Sequence, residues 1–251
     1  TWSVSLVLEK MDEPLDLYIS QTLWHESNKM PRLMHIVELM LHSAEGVAEL
    51  HDSGIAHRGI KPANILLSGS RRDILRISDC RLEQATAVLS RSTRRTSAQQ
   101  RDAVVYMEPI DLTAEDSDSD SDIDTDGGST GLPGSWIDNA YMGYGGGGGS
   151  SGSTGYSFER YAQRDCYALG VVLAELLTGI SPFKGTSKRR IRWRLMNGKG
   201  HHLAAELLWE RNGLATAEDV QKLRAVVERL LTPVRAERLS AHDAAEWLRD
   251  I

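Results

Sequence analysis

The chain has 251 residues, 41% of them apolar and 25% charged, the make-up of an ordinary globular protein long enough to bury a substantial core in one large domain or two small ones. Its net charge of −6 is local: seven acids crowd into residues 115–126, so the acidity says little about what the rest of the chain binds. A membrane span is excluded, because no apolar run approaches the roughly 18 residues required, and so is a disulfide framework, because Cys80 and Cys166 stand alone without metal-ligand spacing.

Isolated thiols predict a reducing, intracellular compartment, cytoplasmic or nuclear. Thr1-Trp2-Ser3-Val4-Ser5 shows no charged region leading into a long apolar core, so no signal peptide is expected. A start at Thr1 rather than Met suggests a fragment or a trimmed chain.

In chain order, Leu6-Val7-Leu8-Glu9-Lys10-Met11 is a short apolar run that turns polar before Pro14, the pattern of a strand ending at a linker. Residues 15–19 suggest a short helix. From Pro31 to Leu50, Leu33, Ile36, Val37, Met40, Leu41, Ala44, Val47 and Ala48 recur at spacings of three and four. This predicts a long amphipathic helix, with Pro31 in its first turn and Gly54 at its exit. Next comes His57-Arg58-Gly59-Ile60-Lys61-Pro62-Ala63-Asn64-Ile65-Leu66-Leu67. Residues 65–67 and 74–77 read as two short strands joined by a polar turn, with Ser78-Asp79-Cys80-Arg81 directly after them. Standing alone, an Asp after a strand is most simply a turn residue.

Residues 82–103 are polar and rich in Arg, Ser and Thr. Beyond Val104-Val105-Tyr106-Met107-Glu108-Pro109-Ile110, the acidic and glycine-rich stretch 113–155 offers too little burial to offset chain entropy, so disorder is expected there. Its glycines 145–149 follow no strand and open no helix, and read as linker. The Ser and Thr residues of 117–125 alternate with acids, which makes them candidate acceptors for an acidophilic kinase, with a solvated spacer as the simpler role. Residues 164–179 read as a mostly apolar, buried helix capped by Asp165 and ended by Gly179. Residues 188–194 are basic with one aromatic; nothing extends them into a nucleic-acid patch, and a solvated helix face is the better reading. His201-His202 shows no ligand geometry. Residues 226–233 and 238–248 read as two closing helices.

The stretch 57–67 closely resembles the catalytic loop of Ser/Thr-type eukaryotic protein kinases, whose pattern is His-Arg-Asp, four residues, Asn. The resemblance continues at Asp79, fifteen residues beyond Asn64, where the family has Asp-Phe-Gly. It includes Tyr106-Met107 and Pro109, similar to the Tyr-Met-x-Pro-Glu end of an activation segment. Residues 164–183 resemble the central helix of the kinase large lobe, and Arg238-Leu239-Ser240 resembles the opening of its last helix.

This resemblance implies an α+β, protein-kinase-like fold across 1–251: a mainly α-helical large lobe with a small β-hairpin near the cleft, the small lobe largely missing before the hinge, and 113–155 as an insertion. It implies that Glu9 and Met11 lie at the adenine edge of ATP, that Lys61 steadies the phosphate, and that Asn64 and Asp79 hold Mg²⁺ through hard oxygen ligands. Asp165 would bind backbone amides of the loop containing His57 and Arg58. Residues 82–103 would form an activation loop whose phosphate arginines such as Arg58 could clamp. Arg238 would lack its usual Glu partner, replaced by Ile110, with Glu108 and Asp111 as the acids that could compensate.

The departures matter as much. Gly59 stands where the family carries the Asp that accepts the substrate proton, so the general base is lost. Cys80 and Arg81 replace Phe and Gly, and no Gly-rich loop or small-lobe Lys precedes the hinge in this chain. The expectation is therefore an impaired, pseudokinase-like domain that recruits protein partners. The alternative is a fragment of an active Ser/Thr protein kinase whose full-length parent binds ATP and phosphorylates proteins. Neither nucleic acid nor a membrane is expected as a partner.

Overall fold

The computed structural model describes residues 8–24, 33–80, 105–106, 153–181, 183, 186–187, 190–191, 193–194 and 217–251. The expectations for Leu6, Val7, Pro31, Arg81, 82–104, 107–110, 113–152 and His201-His202 lie outside these residues.

The helical part forms where apolar side chains recur once per turn. Helix α2 (Leu33–Asp52) buries Ile36, Val37, Leu39, Met40, Ala44, Val47 and Ala48, and packs on both α3 (Ser153–Thr178) and α5 (Ala241–Arg249). Helix α4 (Ala217–Leu230) packs on α3 and α5. A single large cluster joins these faces to Leu15, Tyr18 and Ile19 of the short helix α1 (Leu15–Tyr18) and the π-helical turn after it, Ile19–Leu23. The chain leaves α2 through Gly54 at φ +70°, whose N–H donates to the His51 carbonyl while Ile55 N–H donates to that of Leu50, both at 2.9 Å. A left-handed glycine thus satisfies the last carbonyls of the helix.

The predicted hairpin is present as β2 (Ile65–Ser68) and β3 (Ile74–Ile77), antiparallel, with Ile65 opposite Ile77 and Ser68 opposite Ile74. The outer edge of β2 carries a third strand, β1 (Glu13–Pro14), with Glu13 opposite Leu67. This corrects the strand expected at residues 6–11. Residues 8–11 take no regular structure and Leu8 is largely exposed. The partner edge, not the apolar run, decides where the strand forms: Asp12 N–H donates to the Leu67 carbonyl at 2.9 Å, and pairing begins only there. Pro14, read as a terminator, is compatible with an edge strand because its missing N–H is not needed there.

A second correction concerns α3. It begins at Ser153, not at Asp165, so Asp165 lies in mid-helix and is no N-cap, and the last residues of the stretch expected to be disordered belong to a helix. The Asp165 carboxylate is instead spent on another segment altogether.

Candidate active site

The stretch that resembles a catalytic loop crosses from α2 to β2. His57 is fully buried and Asn64 nearly so, while Arg58, Gly59 and Lys61 are half-buried. From α3, one Asp165 oxygen accepts from His57 N–H at 2.6 Å, the other from Arg58 N–H at 2.7 Å. His51, at the end of α2, brings Nε2 to 3.3 Å from the same carboxylate. A buried carboxylate with two amide donors and an imidazole is a well-satisfied charge.

The His57 ring ties the loop to the segment just beyond β3. Its Nδ1 accepts from Gly59 N–H at 3.2 Å, so the proton sits on Nε2, which donates to the Ser78 carbonyl at 2.8 Å. Asn64 closes a 3₁₀ turn, Pro62–Asn64, and its Nδ2 donates to the Gly59 carbonyl at 2.8 Å. The Asn64 carbonyl accepts from Ser78 N–H at 2.8 Å and from Ser78 Oγ at 3.2 Å. One step beyond the Ile65–Ile77 pair, the sheet register thus sets Asn64 against Ser78, the residue before Asp79. Asp79 is exposed and left-handed, φ +61°, a conformation that non-glycine residues rarely hold and that often marks functional sites.

With Nδ2 of Asn64 engaged as a donor, its amide oxygen is the group left to act as an acceptor, and hard oxygens such as this and the Asp79 carboxylate are the donor type Mg²⁺ takes. At Gly59, an added Cβ would lie 3.7 Å from Asn64 Nδ2 and 3.7 Å from His57 Nδ1, ordinary contact distances. A methyl group at residue 59 would therefore meet no clash.

Of the two residues expected at the adenine edge, Glu9 is exposed and pairs with Arg76 at 3.2 Å, and Met11 is half-buried. Exposed pairs of this kind stabilise little. A stronger link, invisible in the sequence, runs from Asp12-Glu13 to the hairpin turn. Arg72 donates to Glu13 Oε1 at 2.6 Å and to Asp12 Oδ2 at 2.9 Å, and Ser68 Oγ and Gly69 N–H reach Asp12 Oδ2 at 3.2 Å. On the far side, Tyr106 donates to the buried Glu175 at 3.0 Å, and Val105 packs with Tyr167, Val171 and Ile191.

Arg238, expected to lack its usual partner, is buried and donates to the carbonyls of Gln163 at 2.7 Å, Thr232 at 2.8 and 3.0 Å, and Pro233 at 3.3 Å. Backbone oxygens thus serve the charge whatever replaces the Glu.

The two thiols differ sharply. Cys166 is buried inside α3, and burial pushes its pKa up to about 12, whereas Cys80 is half-buried after Asp79. Since the thiolate is the nucleophile, a disulfide-exchange reagent at pH 8 is expected to titrate Cys80 in the native protein and Cys166 only after denaturation. Equal native reactivity in Cys80→Ser and Cys166→Ser chains would contradict this.

Residues 3–124 match the family model described as protein tyrosine and serine/threonine kinase. The match supports a protein kinase domain, and the five helices and three-stranded antiparallel sheet among the described residues fit an α+β, kinase-like fragment. No curated protein matches the chain. No helix among the described residues is long and apolar enough to cross a membrane.

Proposed function

We propose that the chain is a protein kinase-like domain of the Ser/Thr type that is impaired in phosphotransfer and acts by recruiting proteins. The observation that carries this reading is the contrast within one loop. The anchors of 57–64, from Asp165, Ser78 and Asn64, are all made, yet the position they frame is Gly59. A base at that point typically contributes about 10² to 10⁴ in rate, and glycine can accept no proton. The run Lys61-Pro62-Ala63-Asn64 supports the Ser/Thr assignment.

ATP and Mg²⁺ remain the ligands this site would take, with Glu9 and Met11 at the base, Lys61 at the phosphate, and Asn64 and Asp79 at the metal. A bound Mg²⁺ would neutralise charge developing on the phosphoryl group. What the chain's own residues do is orient: His57 and Asp165 fix the loop, and Asn64 Nδ2 fixes the Gly59 carbonyl.

The second reading, an active Ser/Thr protein kinase fragment, is favoured by the left-handed Asp79, since positioning and charge do most of phosphoryl transfer and a base is not indispensable. Labelled γ-phosphate transfer from ATP to a generic basic substrate decides between them. The expected result is no transfer above that of Asp79→Ala. The Gly59→Asp chain is expected to remain inactive, because a carboxylate at 59 does not replace the phosphate-gripping Gly-rich loop and small-lobe Lys that this sequence lacks. Robust transfer that Asp79→Ala abolishes would refute impairment.

A further inference from the structure

Arg58 turns left-handed, φ +65°, a conformation that side chains rarely adopt and that needs holding in place. Its main-chain amide is held by Asp165. Its side chain is held elsewhere: the guanidinium carbon lies 3.6 Å over the centre of the Tyr161 ring. The Arg164 guanidinium reaches the same ring at 5.0 Å. Tyr161 and Asp165 are four residues apart on α3, hence neighbours on one helix face. A single turn of α3 thus meets the loop twice, by a carboxylate on its main chain and by an aromatic face on its arginine.

We propose that Tyr161 is a positioning residue of the catalytic loop: its ring face seats the Arg58 guanidinium, keeps residue 58 left-handed, and so keeps the amides of 57 and 58 on Asp165. A planar guanidinium lies flat on the negative face of an aromatic ring, and that contact strengthens as water is excluded. The ring also lies against two like charges at once, so it offsets repulsion between Arg58 and Arg164. The inference is independent of whether the domain transfers phosphate.

The test is amide hydrogen exchange in the whole chain, read at His57 and Arg58, with Met40 and Leu173 as internal references. Tyr161→Leu, which keeps the bulk and removes the ring, is expected to speed exchange at 57 and 58 on the order of tenfold, and Tyr161→Phe to change it less than about twofold. Arg58→Met is expected to match Tyr161→Leu, and the double variant to add nothing further. If Tyr161→Leu loosens the references too, Arg58→Met alone decides, because it leaves α3 unaltered. Native-like exchange in Arg58→Met overturns the proposal, as does a Tyr161→Phe chain that behaves like Tyr161→Leu.

Discussion

Replacing Asp165 with Ala is expected to destabilise the protein by about 3–5 kcal/mol, because it removes the common acceptor of two amides and leaves both donors buried. His57 N–H and Arg58 N–H have that carboxylate as acceptor at 2.6 and 2.7 Å. Asp165→Asn is the sharper variant. One amide oxygen can serve one N–H, but the amide nitrogen then turns donor toward the other. We expect Asn to recover less than half of the loss, and exchange at both amides to rise in either variant. Urea unfolding monitored by circular dichroism measures it. An Asp165→Asn midpoint indistinguishable from the parent would show that the carboxylate is not what holds the loop.

Gly179→Ala is expected to cost about 3 kcal/mol, against about 1 kcal/mol for Gly54→Ala. Both glycines end helices with positive φ, +67° and +70°, so both use a conformational freedom that alanine lacks. Only Gly179 faces something. A Cβ there would come within 2.3–2.7 Å of three Trp24 ring atoms, while the same atom at Gly54 meets nothing within 4 Å. Trp24 cannot easily withdraw, since its indole N–H donates to the Leu176 carbonyl at 3.1 Å. For a chain of this size the difference corresponds to a gap in Tm of roughly 4–8 °C. Equal Tm losses for the two alanines would remove the steric part of the argument.

Short-range patterns carried much of this structure, and for identifiable reasons. The α2 helix repeats its apolar residues within itself, and the 65–77 hairpin is closed by a local turn, so both were legible. The links from His57 and Asn64 to Ser78 are nearly as local, since little more than a hairpin separates these residues. What was not legible depends on partners far along the chain. The two-residue strand β1 exists because β2 has an edge to fill, and Arg72 finds Asp12 and Glu13 from some 60 residues away. Asp165 looked like a cap because capping is the commonest local use of an Asp near a helix start. The amides it accepts from lie 107 and 108 residues earlier. The His51 contact to it had no signal either, since a histidine near a helix end is ordinarily explained by the helix alone.

That span of 108 residues between His57 and Asp165 also sets a timetable for the newborn polypeptide. On the ribosome, the hairpin and α2 emerge first, but α2 finds its helical packing partners, and the loop between them its acceptor, only in helices synthesised much later. Until then His57 and Arg58 have only water for their amides. A chain that stops short of Asp165 would therefore leave this loop without the carboxylate that accepts from it.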